Sequence, residues 1–320
     1  MQDLIIIGAG PTGIYAGFQA GLRKISATIL EALPLTGGLL TTFYPDKPVY
    51  DIPGYISIQA DQFIQHLISQ WQPYQSAVPL KLDQQVVGLT SIEGGYAVTT
   101  QTQTTYHAKY VLFATGTGNL EPRLLPFQDQ GYAHRVHYAI TDLKTFQNQR
   151  VVVLGGGDSA LDWANTLTGI AKQVTIVHRR HEFRGFASSL STFKTKGKVL
   201  TAYEVKNIVS LNQGVRLDLL NLETEIEAKM EADHIVVCYG FMSTLGTYTK
   251  LGLHAQADGI HVDQRGQTNL SHVYAVGNAA IYQGKSKTIA TALGEVASVM
   301  ETINSQLHPG QKILYSSQLK

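Results

Sequence analysis

The chain opens on an unbroken apolar run, Leu4-Ile5-Ile6-Ile7, and repeats the device at Val151-Val152-Val153-Leu154. Short aliphatic runs bounded by glycine are the mark of strands buried on both faces, as in a parallel sheet. Each run leads into a glycine turn and then into a helical pattern, predicted over residues 12–23 in the first case. A second apolar run comes after each helix, Ala27-Thr28-Ile29-Leu30 and Val174-Thr175-Ile176-Val177. Residues 36–58 carry turn dipeptides and no periodicity, which predicts a long loop, and functional loops are often of this kind. Over 60–71 the pattern is helical, with Phe63, Leu67, Ile68 and Trp71 on one face.

Alternation over 84–113 predicts a small antiparallel insert, with Val86-Val87-Gly88-Leu89, Tyr96-Ala97-Val98-Thr99 and Tyr106-His107-Ala108 as strands and Glu93-Gly94-Gly95 as a hairpin turn. Tyr110–Ala114 then runs into Thr115-Gly116-Thr117-Gly118. The second series has the same plan, with an antiparallel patch over 200–232 and a strand over 234–238. The tail returns to the first theme: a strand at His272–Val276 ends in Gly277-Asn278, and a helix spans Thr288–Leu307.

The two glycine turns carry the chemistry. The first is Gly8-Ala9-Gly10-Pro11-Thr12-Gly13 and the second Gly155-Gly156-Gly157-Asp158-Ser159-Ala160. A glycine turn between strand and helix lets main-chain amides approach a pyrophosphate at the helix N-terminus. The two motifs differ in the residues downstream. The strand after the first ends in Glu31, a carboxylate suited to ribose hydroxyls, while the strand after the second ends in His178-Arg179-Arg180, with Arg184 nearby, suited to a 2′-phosphate. The economical assignment is FAD first and NADPH second. The expected fold class is α/β, with two Rossmann-like three-layer dinucleotide-binding domains, the second inserted into the first: 1–116 plus 244–320 for FAD and 117–243 for NADPH.

Composition narrows the rest. The 320 residues are 44% hydrophobic with a formal net charge of +1, so there is core-forming material and no overall pull towards nucleic acid. No apolar run approaches the ~20 residues of a membrane span, and the start of the chain lacks a secretory pattern, giving an expectation of a cytoplasmic protein. The single cysteine, Cys238, cannot form an internal disulfide or redox pair and is read as a buried structural thiol. The histidines show no metal spacing. Lys194, Lys196 and Lys198 form either a solvated turn or a basic rim for an acidic partner. Lys287 and Thr288 either begin a helix or place its N-terminus at the flavin N1/O2 edge.

Two nested nucleotide domains, Val-Tyr-Ala-Val-Gly near the end and the His178–Arg184 segment resemble low-molecular-weight thioredoxin reductase. That family's Cys-x-x-Cys is absent here, where Val136-His137-Tyr138-Ala139-Ile140-Thr141-Asp142 stands. Together with Tyr44-Pro45-Asp46-Lys47-Pro48-Val49-Tyr50-Asp51-Ile52-Pro53-Gly54 and the tail Tyr315-Ser316-Ser317-Gln318-Leu319, the chain is similar to the thioredoxin-reductase-like ferredoxin–NADP reductases of bacteria. The resemblance implies FAD contacts at Thr12, Glu31, Leu39, Tyr44, Val86, Leu120, Asn278 and Ser317, with Tyr44 and Tyr315 as flavin-stacking candidates. Three positions depart from the family pattern: Leu39 stands in place of Gln, Leu120 in place of Phe and Asn278 in place of Asp. The resemblance also implies electron delivery to ferredoxin or flavodoxin and a homodimer. Two other readings stay open: an NADPH diaphorase or oxidase, and a non-catalytic flavin- or NADPH-binding sensor.

Overall fold

A computed structural model describes residues 1–42, 48–118, 120–127, 131–140, 142–243 and 245–310. The chain divides into two compact units, residues 1–120 with 243–320, and residues 121–242. The sequence-based boundaries at 116/117 and 243/244 lie a few residues from these.

The first unit is built on a parallel sheet. Strand β1 (Gln2–Ile7) lies between β2 (Ala27–Leu30) and the long β6 (Thr105–Phe113), with β3 (Leu80–Lys81) beyond β2. Leu4, Ile5 and Ile6 are fully buried, as an all-apolar central strand requires. The two ends of β6 have different partners. Its first half pairs antiparallel with β5 (Gly95–Thr100), itself in a hairpin with β4 (Val86–Ile92). Its second half pairs parallel with the tail strand Val273–Ala275, in the register Val273↔Val111 to Ala275↔Phe113.

Helix α1 (Pro11–Leu22) comes directly after β1, with Pro11 in its first turn, where a missing N–H costs nothing. Its inner face, including Ile14 and Ala20, shares a core with Phe63 and Leu67 of α2 (Ala60–Trp71) and with Val296, Val299 and Met300 of the tail helix Ile289–Leu307. On the other face of the sheet, Ile5, Val98, Val111 and Phe113 pack with Leu253 and Ile260.

In the second unit a five-stranded parallel sheet has the order β7 (Val136–His137), β14 (His234–Val237), β8 (Arg150–Leu154), β9 (Gln173–His178), β10 (Lys198–Thr201). Helices α3 (Asp158–Leu167) and α4 (Ala187–Lys194) cover one face, where Leu161, Ala164 and Phe193 meet Val151, Val153 and Ile176. A three-stranded antiparallel sheet, β11 (Tyr203–Ser210), β12 (Val215–Asn221) and β13 (Glu227–Ala232), covers the other.

The structure adjusts several expectations. The antiparallel patch begins at Tyr203, because Lys198–Thr201 instead forms the parallel edge strand beside β9. The loop over 36–58 contains one helical turn, Leu39–Thr42. Cys238 lies one residue past β14, half-buried as a residue, with its side chain packed against the core of that sheet. Among the described residues no helix is long and apolar enough to cross a membrane, and no group of three or more His, Cys, Asp or Glu could hold a metal ion.

Candidate functional site

In the first unit the carboxyl ends of four adjacent parallel strands converge: Gly8 after β1, Glu31 after β2, Ala114 after β6 and Gly277 after the tail strand. Ligands of open α/β sheets bind along this edge. The glycines of the first motif divide the work. Gly8 has φ +103°, and a Cβ there would lie 2.7 Å from the Ala114 carbonyl oxygen; at Gly13 a Cβ would lie 1.8 Å from the Gly8 oxygen. These two serve packing. A Cβ at Gly10 would meet nothing within 4 Å, so this is the glycine that leaves space. Gly10 also caps α1 without any side-chain hydrogen bond, so the helix N-terminus carries its partial positive charge into that space.

The surroundings of this cradle are only partly visible in the sequence. The Gly37-Gly38 turn folds onto the motif: the Gly37 N–H donates to the Ala9 oxygen at 2.8 Å, and a Cβ on Gly38 would sit 3.3 Å from the Gly10 Cα. Leu39 comes next as the first residue of the helical turn, half-buried. Glu31 is buried and held from both sides, one carboxylate oxygen accepting from the Ala9 N–H at 2.6 Å and the other from the Leu33 N–H at 2.9 Å. The carboxylate therefore braces the glycine loop, and each of its oxygens keeps a lone pair for a ribose hydroxyl.

The other residues implied for this site occupy varied positions. Thr12 lies in the first turn of α1 against Gly277. Val86 begins β4, and Asn278, half-buried, sits in the single turn Gly277–Ala279 after the tail strand. Thr288 caps the tail helix, accepting from the Thr291 N–H, and the Ile289 N–H donates to an Asp51 carboxylate oxygen at 2.7 Å. Lys287 donates to the Asp258 carbonyl at 2.7 Å. Thr288 thus begins the helix, and the reading of this N-terminus as lying at a flavin edge stays an expectation. Tyr44, Tyr315 and Ser317 lie outside the described residues, as does the side chain of Leu120.

The second unit repeats the construction. Gly155 has φ +141°, and a Cβ there would lie 2.4 Å from the Cys238 carbonyl oxygen, the counterpart of Gly8 against Ala114. Gly157 caps α3 with no side-chain bond, and a Cβ on it would meet nothing within 4 Å. Ala160 is fully buried where the first motif has Gly13. Asp158 and Ser159 open α3, and an Asp158 oxygen accepts from the Phe186 N–H at 3.2 Å. His178 ends β9 with its ring against Gly156, where a Cβ would come within 2.4 Å of Nε2. Burial first, and then Arg180, Arg179 and Arg184, hold its pKa below the usual imidazole value, so the ring is a neutral support for the loop. Arg179, Arg180 and Arg184 are exposed, and none has an ion-pair partner among the described residues. Three such guanidinium groups, on a segment whose Arg184 N–H donates to the Gly156 oxygen at 2.8 Å, are suited to a phosphate ester.

The residues therefore fit two dinucleotides: in each unit the glycine nearest the helix N-terminus opens a cradle that a Cβ would fill. Comparison with known proteins agrees. The family model described as pyridine nucleotide-disulphide oxidoreductase matches residues 2–295. The chain belongs to that family. Within the family, it is 40% identical over 310 residues to a ferredoxin–NADP reductase of Acholeplasma laidlawii, covering 97% of this chain and 95% of that protein. It is 37% identical over 312 residues to one of Enterococcus faecalis, covering 96% and 91%. Among solved structures, the T. acidophilum thioredoxin reductase superposes with a TM-score of 0.79 at 25% identity, covering 96% of this chain and 98% of that one. The likeness supports the two-domain dinucleotide-binding fold.

Proposed function

We propose that this family member is a ferredoxin–NADP reductase: it takes reducing equivalents from NADPH held by the second unit to FAD held by the first, then to ferredoxin or flavodoxin. The observation that carries the reading is the pair of open helix N-termini, one followed by the carboxylate of Glu31 and the other by Arg179 and Arg180. Bound FAD supplies acceptance of a hydride and release of single electrons. The chain's own residues do the holding. Gly10 and Gly157 admit pyrophosphates to the amides of α1 and α3. Glu31 fixes the first glycine loop and offers acceptors to a ribose, and the arginines select the 2′-phosphate. A single cysteine leaves no dithiol to relay electrons to a disulfide, and burial pushes the Cys238 thiol up to about 12.

The domain assignment is part of this proposal, with FAD in 1–116 plus 244–320 and NADPH in 117–243. So are a cytoplasmic location and a homodimer, both supported by the ferredoxin–NADP reductase resemblance. The experiment is anaerobic stopped-flow: mix the purified flavoprotein with NADPH, follow the flavin absorbance, then add oxidised ferredoxin. Bleaching followed by ferredoxin-dependent recovery is the expected result. Bleaching with recovery only in air or with quinone would replace the acceptor with that of a diaphorase or oxidase. A flavin that NADPH leaves oxidised would overturn the enzyme reading in favour of a sensor.

A further inference from the structure

The tail of the first unit contains an ion pair that neither glycine motif needs. Lys285 and Glu295 are bonded, with side-chain exposures of 4% and 15%. Burying two charges costs more than burying two aliphatic side chains of the same size, so such a pair is weak evidence for a purely stabilising role. What it does locally is specific. The Gly277 N–H donates to Glu295 Oε2 at 2.8 Å, and the Gly277 carbonyl accepts from Lys285 Nζ at 2.8 Å. Tyr282 donates its hydroxyl to Glu295 Oε1 at 2.7 Å, and Lys285 Nζ lies 5.1 Å from the Tyr282 ring centroid. Both main-chain groups of one residue are thus gripped by opposite ends of one ion pair, which no apolar pair could do.

Gly277 is a residue that needs gripping. It lies two residues past the end of the tail strand, at the carboxyl edge of the sheet, and has φ +67°. A Cβ on it would lie 2.9 Å from Thr12 Oγ1, in the first turn of α1. Its position therefore fixes how closely the tail approaches the N-terminus of the first dinucleotide helix, and where Asn278, the next residue, is presented.

We propose that the Lys285–Glu295 pair is a positioning clamp that sets the geometry of the Gly277-Asn278 turn against Thr12 and thereby the affinity of the first unit for its dinucleotide. This rests on the assignment of FAD to that unit. Neither residue is catalytic; both act through the Gly277 main chain.

The test uses the holoprotein and four variants: Lys285→Met, Glu295→Gln, Lys285→Arg and the double variant Lys285→Met/Glu295→Met. FAD affinity is read by reconstitution of stripped protein, the flavin environment by visible circular dichroism, and the second unit by NADP⁺ binding. Lys285→Met and Glu295→Gln are each expected to lose about tenfold or more in FAD affinity, the scale of one charge-assisted hydrogen bond. They should also change the flavin dichroism, with NADP⁺ affinity kept, and Lys285→Arg should restore most of the loss. The double variant leaves no unpaired buried charge and is expected to keep its thermal midpoint, yet bind FAD as weakly as the singles. A folded double variant with wild-type FAD affinity and dichroism would overturn the clamp. A wild-type protein that binds no FAD would overturn the FAD assignment itself and the clamp with it.

Discussion

Gly155 and Gly157 stand two residues apart in the same motif, yet the structure gives them opposite duties, and alanine at each should separate these. At Gly155 the new Cβ would lie 2.4 Å from the Cys238 carbonyl oxygen, which is main chain and cannot swing aside, and φ is +141°. Strain at positive φ costs about 1–2 kcal/mol and overpacking about 1–3 kcal/mol more, so Gly155→Ala should lose roughly 2–5 kcal/mol and lower the unfolding midpoint by many degrees. At Gly157 φ is −95° and ψ −178°, ordinary extended backbone, and no atom lies within 4 Å of the Cβ. Gly157 is the N-cap of α3, where Ala is poorer than Gly, so the cost should be well below the loss at Gly155, only about 0.5–1 kcal/mol for Gly157→Ala. Its methyl, however, stands where the pyrophosphate must reach the amides of α3, and NADPH affinity should fall by about tenfold or more, about 1.4 kcal/mol. Thermal unfolding and NADP⁺ titration of the two variants provide the assay. A Gly157→Ala protein that binds NADP⁺ as tightly as wild type would refute the cradle reading of this loop.

Three further outcomes are expected from the same structure. Replacing Arg179 and Arg180 with Ala should raise KM for NADPH, each lost contact being worth roughly 1.5–3 kcal/mol, while KM for NADH barely moves; an unchanged NADPH/NADH ratio in steady-state kinetics would contradict their phosphate role. The facing rings of His137 and His234 (Nε2 to Nδ1, 3.0 Å) are kept neutral by burial, His137 down to about 4, so the unfolded chain binds more protons than the native one at mildly acid pH. Stability should be full above about pH 6.5 and fall as the pH drops towards 4, by about 1–2 kcal/mol after solvent screening of the half-exposed rings, and His137→Phe should flatten that slope in denaturant titrations. Cys238, with its thiol pushed up to about 12 by burial, should resist iodoacetamide at pH 8 in the native protein and react on unfolding, which mass spectrometry of the single cysteine will read.

Much of this architecture is legible in the sequence because its signals are local. An apolar run, a glycine that must adopt positive φ and a charged residue at the next strand's end lie within one βαβ unit, so spacing alone suggests roles for Gly8, Glu31, Gly155 and Arg179. Partners distant in sequence leave no such mark. Nothing near Gly37-Gly38 says that the turn rests on Gly10, and nothing near Asp51 says that its carboxylate accepts from Ile289, 238 positions away. In the sequence His178 is only the first member of a basic run, but the structure places its ring against Gly156. A Lys and a Glu flanking a helix start normally stay in water, so neither Lys285 nor Glu295 stands out along the chain; only the Gly277 main chain, folded between them, explains their burial.

The division of β6 between two partners also bears on the order in which the protein is made. The second half of that strand pairs with Val273–Ala275, which the ribosome delivers only after the whole of residues 121–242. At synthesis rates of ~5–20 residues per second the inserted unit has several seconds to fold first. The first unit meanwhile waits with the edge of β6 at Val111–Phe113 unpaired, and such an edge invites pairing with other chains until it is covered. A released chain truncated between residues 243 and 273 would therefore hold every residue of the inserted unit but lack the strand that covers the Val111–Phe113 edge of the outer one.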